Sequence, residues 1–267
     1  MGIKEHEVKA SELKKFLDQK RDEYNRASFV ADDPISLPHQ FTQLQDIEII
    51  AFWVAVLAWG RRQSIINSGK QLIRLMGHAP YDFIKNHKPE DRKPFLQFKH
   101  RTFQPTDTIY FLEFLQNFYR QNNSLELAFS QHLETEDEHI EKALLGFHEL
   151  FFSLPNAPQR TRKHIARPGR KSTCKRLCML LRWMVRQDDK GVDFGLWDTI
   201  KPRQLLLPVD VHVDRIARRY GLIQRKQTDW RTVLELTAAL RVFDKQDPVA
   251  YDFALFGIGI AESQGLL

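Results

Sequence analysis

Apolar positions recur at helical spacing along most of the chain. In SELKKFLDQKRDEY, Leu13, Phe16, Leu17 and Tyr24 form a stripe through an otherwise charged stretch. The run IIAFWVAVLAW at 49–59 is apolar throughout, the composition of a helix buried on nearly all sides. It is far shorter than the roughly 20 residues a bilayer span needs. Asp46 is its expected N-cap. Beyond Gly60 the helical pattern resumes at Ile65, Ile66, Leu72, Ile73 and Met76. The segments IYFLEFLQNFYRQ and DEHIEKALLGFHELFF predict two more amphipathic helices. TCKRLCMLLRWMVR predicts another, with Leu177, Met179, Leu180, Leu181, Met184 and Val185 on its core face. No stretch alternates apolar and polar residues between tight-turn dipeptides, so no extended sheet is expected. The fold class is all-α.

Three turn-rich stretches punctuate these helices. ADDPISLPHQF carries Pro34 and Pro38, LPNAPQRTRKHIARPGRKS has three prolines, and QDDKGVDFGLWDTIKPRQLLL carries Gly191, Gly195 and Pro202. Trp197 and Phe194, in the last of these, are candidates for stacking on a base. Trp183, on a helix, is expected in the core.

A chain of 267 residues with 42% hydrophobic and 28% charged residues can bury a sizeable core. Its opening, MGIKEHEVKASELKK, is charged throughout and lacks a signal-peptide pattern, so a cytoplasmic protein is expected. Cys174 and Cys178 are the only cysteines. Two thiols do not suffice for a disulfide scaffold or a four-thiolate metal site, so reduced thiols, no metal and no cofactor are expected.

Charge changes the picture more. The net charge is +6, yet 150–187 contains ten Lys and Arg and no Asp or Glu, so the rest of the chain is net negative. A basic segment in a mildly acidic body is the footprint of a polyanion binder.

The richest segment is LPVDVHVDRIARRYGL. Pro208 ends the element before it, and Val213, Ile216, Ala217 and Tyr220 stand at i, i+3, i+4 and i+7, a single apolar stripe. Gly221 is a natural stop. Asp210 falls where the helix should begin, so capping and the helix dipole favour its ionised form. Composition and spacing alone are met by a plain cap.

The run PVDVHVDRIARRYGL resembles the Pro-Val-Asp-x-His-x-x-Arg signature that opens the catalytic-aspartate helix of the helix-hairpin-helix base-excision DNA glycosylases. Upstream, IIAFWVAVLAWGRRQSIINSGKQL is similar to the buried helix, polar turn and second helix of those enzymes; downstream, DPVAYDFALFGIGI resembles their closing helix. The chain as a whole looks like a member of an uncharacterised bacterial family related to them. The pattern has three departures, the first being that 35 positions separate Lys175 from Asp210, longer than in most of the family. ARPGRKSTCKR has Pro168 and Gly169 but lacks the second glycine of the usual Leu-Pro-Gly-x-Gly-x-Lys-Thr-Ala hairpin, and no cysteine follows the aspartate segment to hold an iron–sulfur cluster.

The resemblance implies a two-lobed helical protein, with 46–186 as one lobe and 1–45 plus 187–267 as the other. Nucleic acid, most simply duplex DNA with a damaged base, would lie between the lobes; no membrane is implied. Asp210 would be the catalytic carboxylate and Lys175 a Schiff-base nucleophile, with Lys171 as the competing candidate. Arg167, Gly169, Arg170, Lys171, Ser172, Thr173 and Arg176 would meet the DNA backbone. Arg61 and Arg62 would enter the gap left by an extruded base, with His212 and Arg215 beside the aspartate. The alternatives are a non-catalytic DNA- or RNA-binding module on the same scaffold and a helical protein whose basic run meets an acidic partner.

Overall fold

The computed structural model describes residues 2–169 and 171–265, with side chains from Lys9 onward. In chain order its α-helices are α1 (Gly2–Tyr24), α2 (Leu44–Leu57), α3 (Arg62–Leu75), α4 (Pro80–Asn86), α5 (Pro105–Tyr119), α6 (Leu127–Ser130), α7 (Glu141–Phe151), α8 (Lys175–Val185), α9 (Val211–Arg219), α10 (Trp230–Arg241) and α11 (Tyr251–Ser263). Short 3-10 turns join them, including those at Ala27–Asp32, Pro34–Ser36 and Pro38–Gln40, where the prolines argued against regular structure. No strand occurs among the described residues, so the chain is all-α. No described helix is long and apolar enough to cross a membrane.

The chain divides into two compact units. One comprises Met1–Phe29, Pro168–Gly195 and Lys201–Leu267, the other Val30–Arg167 and Leu196–Ile200. These boundaries lie elsewhere than 46 and 186: α8 belongs with α9, α10 and α11, and the 3-10 turns Pro34–Ser36 and Pro38–Gln40 belong with α2.

The central unit is built around α2, which is buried from Ile47 to Leu57. An aromatic cluster closes over it. Phe52 stacks on Phe111 at 5.5 Å, Trp53 tilts on Phe111 at 5.0 Å, and Phe111 meets Phe151 edge-on at 4.8 Å. Such pairs add about 0.5–1.5 kcal/mol each beyond the area they bury. The expected cap is corrected here. Gln43 occupies the N-cap, and Asp46, in the first turn, accepts from the Tyr81 N–H at 2.7 Å, fastening the start of α4 instead.

Glu48 is the one acidic residue buried in α2. Its Oε1 accepts from Ser124 Oγ and from Trp197 Nε1 (2.7 Å), and its Oε2 from Tyr119 Oη (2.8 Å) and the Leu125 N–H (3.0 Å). Trp197 is therefore a buried structural anchor and not an exposed platform for a base. A chain segment that must satisfy a buried carboxylate folds inward despite its loop-like composition.

In the other unit α11 packs against both α1 and α9. Gly259 sets how closely: a Cβ there would stand 2.8 Å from the Cβ of His212 and 3.3 Å from its Cα. Replacing Gly259 with alanine forces α9 outward. Overpacking costs about 1–3 kcal/mol, only partly offset by the roughly 1 kcal/mol helix preference of alanine. The expected net loss is about 1 kcal/mol in urea denaturation. An unchanged or raised midpoint would mean that α9 yields without cost.

Candidate active site

The site grows from two helix starts within one unit. At the first, Asp210 adopts an extended conformation as the N-cap of α9, and its Oδ1 accepts from the backbone N–H of His212 (2.9 Å) and Val213 (3.0 Å). One oxygen is thus consumed by capping, which fixes the carboxyl plane and turns Oδ2 away from the helix. The helix behind it follows the expected stripe: Val213, Ile216 and Ala217 are buried, and Tyr220 meets Phe16 at 5.5 Å between ring centres. Gly221 ends it with φ +71°.

At the second start, Lys175 is the first residue of α8, and its Nζ lies 3.9 Å from Asp210 Oδ2. The two side chains keep 25% and 21% of their surface exposed, so the pair is open to water and to a ligand. Two backbone devices hold this approach. Thr173 Oγ1 donates to the Val209 carbonyl at 2.9 Å, tying the α8 entry to the residue before Asp210. Cys174, the N-cap of α8, sits in the left-handed region at φ +51°, with its N–H donating to Ser172 Oγ at 3.1 Å. A non-glycine residue rarely adopts this conformation, at a cost of about 1–3 kcal/mol. Positive φ therefore occurs before α8 at Gly169 (φ +79°) and again, without glycine, at Cys174.

Asp252 of α11, only 4% exposed, feels the charges of both members of the pair. Its Oδ2 accepts from Arg182 Nη1. Its Oδ1 is buried without a hydrogen-bond partner among the described residues. Burial pushes this carboxyl up to about 6, opposed by the Arg182 charge; the Asp210 charge pushes the same way as burial, and Lys175 opposes it. Arg182 also bonds Asp193 (3.2 Å) and lies over the Phe253 ring at 4.5 Å. Arg186, one turn on, pairs with Asp188 (2.7 Å), Asp193 (3.2 Å) and Asp247 (2.8 Å).

Several basic residues are therefore structural. Arg182 and Arg186 are buried, Arg160 pairs at 2.9 Å with the buried Asp107 in the central unit, and Arg162 stacks on Phe152 at 4.6 Å. Carboxylates distant in sequence pair with Arg160, Arg182 and Arg186, which a local charge count does not reveal. Lys171 is exposed, while Arg176 is half-buried. Burial pushes the Arg176 guanidinium down to about 10, so it remains charged at neutral pH. Burial raises the Cys178 thiol well above its usual range, and both cysteines are buried and outside any disulfide. A protonated, enclosed thiol is a poor nucleophile.

The remaining candidates are placed as follows. The His212 ring meets Phe256 edge-on at 6.2 Å. Arg215 donates to Glu262 (2.7 Å) and to the Gly259 carbonyl (3.1 Å), so it braces α9 against α11. Arg61 and Arg62, at the start of α3, and Arg167 belong to the central unit. Arg170 lies outside the described residues. Trp183 is buried, as expected. Asp252 went unrecognised in the sequence; the sign was a lone carboxylate inside the apolar run AYDFALFGIGI.

A family model described as a protein of unknown function (DUF2400) matches residues 33–261. The chain belongs to that family. Neither a curated protein nor a solved structure matches it. The matched span of this DUF2400 member takes in Lys175, Asp210 and Asp252 together.

Proposed function

We propose that this chain is a DNA-binding, base-excision glycosylase-like protein whose Lys175 supplies lyase activity through a Schiff base. The carrying observation is the 3.9 Å approach of Lys175 Nζ to an Asp210 Oδ2 that capping leaves free and oriented. The resemblance of PVDVHVDRIARRYGL to the glycosylase aspartate helix supports the same reading.

The chemistry suits these groups. Cleavage of a glycosidic bond builds positive charge on the sugar, which a fixed carboxylate stabilises in the transition state. The lysine amine, once neutral, attacks the anomeric carbon, and the base departs with the bonding electron pair and takes up a proton. The target base must be extruded first, at a cost of about a few kcal/mol. Lys171 and Arg176 are placed near the entry to α8, where cations meet phosphate.

Borohydride trapping on duplexes holding an abasic site or an oxidised base tests this directly. The expected result is a covalent adduct at Lys175, and a fall of about a hundredfold or more in base release for Asp210→Asn. No adduct with the wild type would remove Lys175 from the role, and undiminished base release in Asp210→Asn would end the enzyme reading. One observation favours a second reading: an ion pair beside the Thr173–Val209 bond is also what a purely structural tie would use. A non-catalytic DNA- or RNA-binding module would give salt-sensitive binding and no product on any lesion.

A further inference from the structure

Three arginines of the basic segment 150–187, Arg160, Arg182 and Arg186, are committed to carboxylates. Uncommitted cations of the central unit stand elsewhere. Residues 49–81 hold four Lys and Arg and no Asp or Glu, and 92–106 hold four more, again without an acid. The fold joins these two stretches at one place. His100 and Phe103 exchange both backbone hydrogen bonds, at 3.0 and 2.8 Å, which leaves Arg101 and Thr102 as the exposed tip of a tight turn. That turn is fastened to α3 and to the residues before it. Ser68 Oγ and His100 Nδ1 share a hydrogen bond at 2.9 Å, and His100 Nε2 donates to the Trp59 carbonyl at 3.4 Å. Arg160 Nη2 braces the tip as well, donating to the Thr102 carbonyl at 3.2 Å.

Arg101 is the unusual residue here. It lies in the left-handed region at φ +56°, which residues with long side chains rarely adopt. Its guanidinium lies over the Trp59 ring, 4.6 Å from the centroid. It also crosses Gly60 so closely that a Cβ there would stand 2.3 Å from Nη1. Among the described residues neither Arg101 nor the exposed Arg61 and Lys99 pairs with a carboxylate. We propose that Arg61, Lys99 and Arg101 form a docking surface for the phosphate backbone of duplex DNA. The proposal rests on the DNA-binding part of the reading above and is independent of Lys175.

Charge complementarity favours a polyanion. The acid that ends the second stretch, Asp107, is fully buried and answered by Arg160 at 2.9 Å, so it does not offset the three cations. The Trp59 ring takes one face of the Arg101 guanidinium and leaves its edge, a planar fork of N–H donors that fits two phosphate oxygens. An arginine already held by a ring and a close backbone has less freedom left to lose on binding. The same contact argues against a single strand. Arg101 covers the Trp59 face, and His100 meets that ring edge-on at 6.0 Å, so no open aromatic face remains for a base. Arg61 then meets phosphate instead of the gap beside an extruded base. Such contacts fix position without reading sequence, so an undamaged duplex suffices as a probe.

Fluorescence anisotropy of the full chain on a labelled undamaged duplex, across a salt series, is the test. Wild-type log affinity is expected to fall linearly with log salt. Arg101→Ala should bind about tenfold more weakly at low salt, with a salt slope shallower by about 1. Arg61→Ala should do the same, and it carries the test alone if Arg101→Ala fails to fold. Lys245→Ala, which removes an exposed lysine from the other unit, should leave affinity and slope as they are. Unchanged binding in the Arg61 and Arg101 variants overturns the surface, as does an equal loss in Lys245→Ala or a loss confined to a single strand of the same sequence. No salt-sensitive binding by the wild type would end the DNA reading and the surface with it. Variant losses without any borohydride adduct at Lys175 sustain the surface and sink the lyase. An adduct alongside unchanged duplex binding in both variants keeps the lyase and overturns the surface.

Discussion

Replacing Arg182 with alanine is expected to cost about 3–5 kcal/mol, because it strands the buried Asp252 carboxylate and leaves the buried Asp193 with Arg186 alone. Asp193 and Asp252 both bond the Arg182 guanidinium, and all three are buried. Removing one partner of a buried ion pair leaves an uncompensated charge, which is far costlier than replacing the whole group with apolar residues. The loss also has a pH signature. The Asp252 carboxyl is raised from 3.8 to about 6 in the folded protein, so its contribution is fully present below the unfolded value and is lost as pH rises through 6. Without the guanidinium the same carboxyl rises further. The deficit of Arg182→Ala should then be largest above pH 6 and shrink toward pH 4, where a neutral Asp252 needs no counter-charge. Urea denaturation of wild type and variant at pH 4.5 and 7.5 reads the difference. A deficit that is constant across that range, or below about 1 kcal/mol, would mean that the network contributes little to folding.

Arg182 also marks where the sequence stops being legible. The α9 segment could be read in detail because its information is local: the stripe Val213, Ile216, Ala217, the cap Asp210 and the stop Gly221 all act within a few turns. The face of α8 was legible for its apolar residues only. Leu177, Leu180 and Met184 are buried as spacing requires, but Arg182 and Arg186 are buried with them. Their partners Asp247 and Asp252 lie about sixty to seventy positions away, and a charge run gives no hint of partners at that separation. Trp197 misled in the converse way. Its loop composition suggested exposure, while a carboxylate 149 positions earlier draws it inward. The entry to α8 shows a third kind of limit. The left-handed turn signalled elsewhere by glycine is present at Cys174, where the tie of Thr173 to Val209 accompanies a conformation that residue type alone would not suggest. What was legible rests on periodicity and capping; what was not rests on polar pairs distant in sequence. The lone charges in apolar runs, Glu48 and Asp252, were the available sign that such pairs exist.

Glu48 carries the second large effect, and its neighbours decide which substitution reveals it. Each carboxylate oxygen faces one hydroxyl and one N–H: Ser124 and Trp197 on Oε1, Tyr119 and Leu125 on Oε2. A hydroxyl can rotate to accept instead of donate; an indole or backbone N–H can only donate. Glu48→Gln therefore fails in either amide orientation, since its NH2 group must confront Trp197 Nε1 or the Leu125 N–H. One buried donor left unsatisfied costs about 1–3 kcal/mol. Glu48→Ala removes the acceptor from all four donors and opens a cavity beside α2, so the expected loss is about 4 kcal/mol or more. In both, the Trp197 indole loses its partner or is pushed from it, so its fluorescence should shift to the red, and amide exchange should quicken at Leu125. Melting temperatures, tryptophan emission and hydrogen exchange together form the check. A glutamine variant as stable as wild type, with unshifted emission, would mean that the four donors find other acceptors and that Glu48 does not hold the 196–200 segment in place.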